Sequence, residues 1–245
     1  MTVVKICGVR TVEAAVTAAE NGADVIGMIF APSPRLIDIS TAQEIAKAVV
    51  PAHTKRDPAA TTDELNRECN MSAPEYFKAC SDKLLSYGRP LLCGVFQNQD
   101  LDHILSVVRQ VPLDLVQLHG TEPVQMARQI PVSVIKVFHV GADFTVDTAG
   151  LFDTGYHSVI LLDTKVPAAG AQQGGHGVQF DWTVARSLSD RNVPFLMAGG
   201  LSPDNVDEAV KVARPWGVDV SSGVETDRAK DPAKIQAFIN NAKAA

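Results

Sequence analysis

Phe195-Leu196-Met197-Ala198-Gly199-Gly200-Leu201 and, one helical segment later, Gly217-Val218-Asp219-Val220-Ser221-Ser222-Gly223-Val224-Glu225 decide how this chain is read. Twice a short apolar run ends in small residues and hands over to a predicted helix start. Small residues let backbone N–H groups approach an anion closely, and a helix N-terminus adds the positive end of its dipole. Two such turns on consecutive strands can hold one phosphate between them. In a barrel of alternating strands and helices, that is the usual place for a phosphate, after strands 7 and 8. The expectation is therefore six more strand–helix units upstream.

They are present as a pattern. Val3–Cys7, Val25–Phe30, Leu91–Phe96, Leu113–Leu118, Val132–Val137 and Ser158–Leu162 are short, continuous apolar runs, as parallel strands covered by helices should be. Between and after them lie predicted helices: Thr11–Asn21 with Thr11 as N-cap and Gly22 as stop, one capped by Ser40 or Thr41 and running through Val50, then Leu101–Val111, Pro123–Gln129, Phe144–Thr154, Phe180–Ser189, Pro203–Ala213 and Pro232–Lys243. The pattern breaks between Pro51 and Gly88, which read as an insertion between helix 2 and strand 3. Its first part, about His53 to Asp63, reads as mobile, and Pro74–Tyr87 has helical character. No linker splits the chain, and nothing marks a strand-order reversal. A single (β/α)8 TIM barrel over residues 1–245 therefore fits better than a doubly wound open sheet.

Composition narrows the partners. The 245 residues are 46% hydrophobic and 20% charged, with a formal net charge of -6. That balance argues against a nucleic-acid partner held by bulk charge but leaves room for a small anionic ligand. No apolar run reaches bilayer length and the N-terminus has no signal-peptide pattern, so a cytoplasmic protein with no membrane partner is expected. Cys7, Cys69, Cys80 and Cys93 lack metal-ligand spacing; reduced thiols and no bound metal are expected.

In such barrels the chemistry sits at the C-terminal strand ends. Those ends carry Cys7, Arg35 in the Pro32-Ser33-Pro34-Arg35 loop, Gln117 and His119, Lys136 with His139, Asp163, and the two small-residue turns with Gly199, Gly200, Ser222 and Gly223. A thiol and a carboxylate at strand ends suggest a general base and a general acid. Each has a plainer reading: Cys7 as a small core hydrophobe, Asp163 as a loop cap, His119 bonded to a loop carbonyl, Arg35 as a solvated charge. Alternation adds a stronger constraint. Lys5 and Cys7 share a face, and so do Asp219 and Ser221. An ammonium is costly in the apolar helix layer, so the shared face is the barrel interior. Strands 1 and 8 are neighbours on closure, and Lys5 and Asp219 are predicted to form a buried ion pair. The ammonium would also favour the thiolate of Cys7.

Assembled in order, Val4-Lys5-Ile6-Cys7-Gly8, Pro32-Ser33-Pro34-Arg35, Gly94-Val95-Phe96 with Asn98, Val116-Gln117-Leu118-His119-Gly120, Leu162-Asp163, Ala198-Gly199-Gly200-Leu201 and Gly217 through Glu225 resemble the phosphoribosylanthranilate isomerases of tryptophan biosynthesis. The resemblance implies an Amadori rearrangement of N-(5-phosphoribosyl)anthranilate. It gives Asp163 the role of general acid and Cys7 that of general base. Arg35 would meet the anthranilate carboxylate, Gln117 and His119 would contact substrate, and Gly199, Gly200, Ser222 and Gly223 would grip the phosphate. No cofactor or metal is implied. The family also occurs inside multifunctional tryptophan-pathway chains, so this sequence could be a domain of one. Two features depart from the pattern. Gly174-Gly175-His176-Gly177 has His where Thr is usual, after a long loop from Thr164 to Gln173. The Pro51–Gly88 insertion is absent from short bacterial members; it should lie at the barrel's N-terminal end as a surface elaboration or a docking surface. Other phosphate-binding barrels fit less well. An epimerase needs paired aspartates and histidine ligands for a metal, and an indole-glycerol-phosphate synthase needs strand-end lysines paired with glutamates. A binding domain without catalysis would not need both Cys7 and Asp163.

Overall fold

The computed structural model describes residues 1–50, 71–141, 144–145, 147–164 and 181–245. Eight parallel strands close into a barrel in sequence order: β1 (Val3–Ile6), β2 (Val25–Ile29), β3 (Leu91–Phe96), β4 (Leu115–Leu118), β5 (Ser133–Val140), β6 (Val159–Thr164), β7 (Phe195–Met197) and β8 (Gly217–Val220). The ring closes with β8 against β1, Lys5 in register with Asp219. The interior is built by alternation: Val3, Val25, Cys93, Val95, Leu115, Ile135, Val137, Leu161, Leu196 and Ala198 form one apolar cluster. The opposite strand faces join the helices in a second, larger core.

Among the described residues the helices are α1 (Val12–Glu20), α2 (Ile39–Val49), α3 (Ala73–Leu85), α4 (Leu101–Gln110), α5 (Trp182–Asp190), α6 (Val206–Ala213) and α7 (Pro232–Ala244). Thr11 caps α1 as expected, accepting from Ala14 N. Helix α2 starts earlier than its hydroxyl residues suggest. Asp38 is the cap, accepting from Thr41 N at 2.8 Å and from the Thr41 hydroxyl at 2.7 Å. Thr41 is thus a donor to the cap rather than the cap itself.

Two expected helices differ. Val124–Gln129 is a short 3-10 helix, ended by Ile130, which precedes Pro131 and is steered from the helical region by it. The described residues of 144–154 make turns rather than a helix. Thr145 and Thr148 turn their hydroxyls on the local backbone, with Thr148 Oγ1 donating to Thr145 O at 2.6 Å. Gly150 and Gly155 sit at φ +82° and +78°. Both features compete with helical hydrogen bonding.

Helix α3 occupies the helical half of the expected insertion, and it is more than a surface addition. Tyr76 and Phe77 are fully buried, and Leu84 joins the barrel's interior cluster beside Val3, Val25 and Leu91 at the strand starts. The helix thus covers the N-terminal mouth of the barrel, opposite the strand ends that carry Cys7 and Asp163. The expected mobile stretch 53–63 and Cys69 lie outside the described residues.

Phe77 also packs on His157, ring centroids 5.2 Å apart, and Phe138 touches the same imidazole at 5.6 Å. His157 is fully buried and neither ring nitrogen has an aligned partner. Burial pushes its pKa down to about 4, with modest relief from the Leu151 backbone. The unfolded chain takes up this proton first, near pH 6.5, so the contribution is complete above that value and is lost as pH falls toward 4. Between pH 7 and pH 5 the expected loss is about 2 kcal/mol. Urea midpoints of the native protein and of His157→Phe at both pH values check this: the substitution should flatten the acid slope, and an unchanged slope would refute it.

Candidate active site

The last interior positions of several strands converge at the C-terminal mouth. On β1 the alternation Val3, Lys5, Cys7 brings a lysine and then a thiol inward. On β4 it brings Leu115, Gln117, His119; on β6, Val159, Leu161, Asp163; on β8, Gly217, Asp219, Ser221. The predicted ion pair is present: Lys5 Nζ donates to Asp219 Oδ1 at 2.9 Å, with Lys5 fully buried. Burial alone would discharge Lys5, but Asp219, with help from the two thiols Cys7 and Cys93, more than reverses that and raises its pKa.

Cys7 is buried at 5% exposure, directly above this pair. The side of Gly27 is open to it: a Cβ there would lie 3.0 Å from Cys7 Sγ. Burial raises the Cys7 thiol, while Lys5 acts in the opposite direction, so the expected thiolate support exists but burial outweighs it. Cys93, one layer down on β3, is pushed up to about 12 by burial and is an inert core thiol.

Asp163 is 4% exposed. Its Oδ1 accepts from Thr164 N at 2.7 Å, and His119 Nε2 lies 3.3 Å from Oδ2, a charge contact not aligned as a hydrogen bond. Burial pushes this carboxyl up, but the His119 contact and the Thr164 N–H outweigh it and hold it below the usual carboxylate range. His119 is itself tied from behind, since Gln117 Nε2 sits 2.8 Å from His119 Nδ1. An amide nitrogen only donates, so Nδ1 accepts and Nε2 faces Asp163 with its proton. His139, in register with Asp163 on β5, donates from Nε2 to the His119 carbonyl at 3.0 Å. Its pKa is lowered by burial first and by His119 second. The plain expectation of a histidine bonded to a loop carbonyl thus describes His139, whereas His119 faces the carboxylate.

Lys136 is not at the mouth. It faces outward from β5 and donates to Gly120 O at 3.0 Å and Glu122 Oε2 at 3.2 Å. Glu122 also accepts from Asn98 N at 2.6 Å and Gly120 N at 2.9 Å. This buried cluster pins the turn that carries His119.

Arg35 meets a partner that its sequence position does not reveal. Its Nε and Nη2 clasp Glu225 Oε1 and Oε2 at 2.7 and 2.8 Å. Glu225 also takes Lys230 Nζ at 2.9 Å, and Lys230 donates to Ser221 O at 2.8 Å. Burial would raise the Glu225 carboxyl, but Arg35 and Lys230 hold it down at about 2. Lys230 belongs to a two-stranded hairpin, β9 (Glu225–Thr226) with β10 (Ala229–Lys230), which the strand–helix pattern hides because it is only two residues deep. Among the described residues no hydrogen bond uses Nη1 of Arg35.

The two small-residue turns pack on each other. Gly199 has φ +90°, and a Cβ there would meet Thr164 Oγ1 at 2.3 Å; at Gly223 it would meet Leu201 O at 2.0 Å. Both positions demand glycine. Gly200 follows at φ +65°, and its carbonyl accepts from Asn205 Nδ2 at 2.9 Å just ahead of α6. After β8 the chain enters a 3-10 turn at Ser222–Val224 rather than a long helix. The stretch with His176 lies outside the described residues.

Residues 54–241 match the N-(5'phosphoribosyl)anthranilate (PRA) isomerase family. The chain is 40% identical to a "Multifunctional tryptophan biosynthesis protein" of Phycomyces blakesleeanus over 98% of its own length but only 32% of that protein. It is also 40% identical to an N-(5'-phosphoribosyl)anthranilate isomerase of Roseiflexus sp. (strain RS-1), covering 99% of this chain and 98% of that one. A solved phosphoribosyl anthranilate isomerase in complex with reduced 1-(o-carboxyphenylamino)-1-deoxyribulose 5-phosphate superimposes with a TM-score of 0.68 at 31% identity, over the whole of both chains. No described helix is long and apolar enough to cross a membrane. With the closed barrel, the thiol and carboxylate at its mouth and these likenesses in agreement, the chain belongs to the N-(5'-phosphoribosyl)anthranilate isomerase family.

Proposed function

We propose that this chain isomerises N-(5-phosphoribosyl)anthranilate to 1-(2-carboxyphenylamino)-1-deoxyribulose 5-phosphate, with Asp163 as general acid and Cys7 as general base. The observation that carries the reading is the convergence of Cys7 and Asp163, last interior residues of their strands, at the mouth shared with the Gly199 and Gly223 turns. The relative bound to the reduced ketose phosphate supports the same substrate class.

Asp163 gives its proton to the furanose ring oxygen; the C1–O bond breaks as the nitrogen lone pair forms C1=N. Cys7 removes the C2 proton, C1=C2 forms, and the electrons return to nitrogen. The thiol proton then passes to C1, while the enol O–H proton at C2 returns to Asp163 as the ketone forms. Both groups end as they began, and no other reactant is consumed. Arg35 meets the anthranilate carboxylate through its Nη1 side, its plane fixed by Glu225. Gln117 and His119 line the reacting carbons. The phosphate sits between Gly199, Gly200, Ser222 and Gly223. The reaction uses only residues within this barrel, whether the domain stands alone or is part of a longer, multifunctional chain.

Incubated with the aminoaldose phosphate, the purified chain should yield a product of unchanged mass with a ketone and a C1 methylene by NMR. Recovery of unreacted aminoaldose beyond its spontaneous decay would sink the reading. The phosphate grip has its own test. A methyl at Gly223 collides with the Leu201 backbone and must displace the turn. Gly223→Ala should therefore lower kcat/KM by about tenfold or more, mainly through KM. Unchanged KM would remove Gly223 from the phosphate site.

A further inference from the structure

Asp163 is asked to donate a proton, yet its surroundings favour the carboxylate. The missing proton has a visible place. His119 Nε2 faces Asp163 Oδ2 at 3.3 Å, and Gln117 lies at 2.8 Å behind the other ring nitrogen. Gln117 is fully buried and its Oε1 has no partner. A turn of this amide would present Oε1 to Nδ1–H in place of Nε2–H to a bare Nδ1. The side chain can thus serve His119 whether one or both ring nitrogens carry protons.

We propose that His119 and Asp163 form one acid: His119 Nε2 holds the proton that Asp163 delivers to the ring oxygen, with Gln117 matching either protonation state of the ring. This rests on the isomerase reading above and assigns His119 a positioning role that acts through Asp163, beyond contact with substrate. The transfer is simple in balance. From the doubly protonated ring, with Gln117 turned so that Oε1 accepts from Nδ1–H, the Nε2 proton moves to Oδ2, leaving a neutral Nδ1–H imidazole, and it returns when Asp163 recovers a proton from the enol. The surrounding charges suit it. His139, on β5, is held neutral by burial and by His119, and spends its Nε2–H on the His119 carbonyl, so it does not compete. Lys136 on the same strand is neutralised by Glu122 from the β4 turn. Thr164 on β6 donates its backbone N–H to the other oxygen of Asp163.

The test is the pH profile of kcat/KM for the native protein, Asp163→Asn, His119→Asn and Gln117→Leu. The limb that vanishes in Asp163→Asn belongs to the acid. In His119→Asn that limb should move to lower pH by about one unit or more, because a lone carboxyl releases its proton earlier than an imidazole. Gln117→Leu should shift it in the same sense. A loss of rate with the limb in place, or no change, would overturn the inference, since a purely structural histidine lowers the rate equally at all pH values. Native protein without turnover would remove the isomerase reading and this inference together; active native protein with an unmoved limb would remove this inference alone.

Discussion

Asp163→Asn should lower kcat/KM by about 10²- to 10⁴-fold, the range that a positioned acid contributes. The substitution is close to isosteric. An asparagine carbonyl can still accept from Thr164 N, which now bonds Oδ1 at 2.7 Å, so β6 should keep its end geometry. What is lost is the proton for the ring oxygen. The phosphate grip and the Arg35–Glu225 clasp sit on other strands, so KM should change much less than kcat. A variant with native kcat would place ring opening elsewhere, and a variant that failed only through KM would make Asp163 a binding group. The direction of the Cys7 shift adds to the expectation. Burial favours the protonated form of this thiol, while Asp163 is drawn toward its carboxylate. The working form is the opposite, so turnover depends on the groups beside each: Lys5 under the thiol and His119 against the carboxyl.

The second large effect is on stability. Asp219→Ala should destabilise the fold by about 3–5 kcal/mol, the usual result of leaving one member of a buried pair without its partner. Lys5 is fully buried and Asp219 is only 7% exposed, so water does little to relieve the orphaned ammonium. Against a total stability of about 5–15 kcal/mol this is a large share. The double variant Lys5→Met with Asp219→Leu should recover most of the loss, because neither charge is then stranded. It should not recover activity, since Cys7 loses the cation that opposes burial of its thiolate. Denaturant midpoints and turnover on the native protein, Asp219→Ala and the double variant separate the two roles. A double variant as unstable as Asp219→Ala would contradict the charge account, and one with native turnover would remove Lys5 from any part in tuning Cys7.

That pair also shows what the sequence could disclose. Its register follows from the two-residue period of strands and from closure of β8 on β1, both readable once eight apolar runs are counted. The strand-end rule likewise picked out Cys7, Gln117, His119 and Asp163. The Arg35–Glu225 clasp was not readable, because the partners are 190 positions apart and lie in a loop and in a two-residue hairpin strand outside the barrel, where no long period fixes orientation. Nor was the His119–Asp163 contact, since side chains beyond the strand ends turn according to local partners such as Gln117. The turns at 144–154 escaped because spacing of apolar residues is blind to hydroxyls that take local backbone bonds. Helix α3 was visible as a helix, but the burial of Tyr76 and Phe77 over the N-terminal mouth depends on where the barrel leaves apolar surface uncovered.

The central claim is that Cys7 and Asp163 together convert the aminoaldose phosphate to its ketose isomer on this barrel. Its most direct test follows the anthranilate fluorescence of N-(5-phosphoribosyl)anthranilate with the native protein, Cys7→Ala and Asp163→Asn side by side. The expected result is rapid loss of signal with the native protein and a rate near the uncatalysed decay with each variant. Loss of signal at the native rate in either variant, or none above the uncatalysed decay with the native protein, would contradict it.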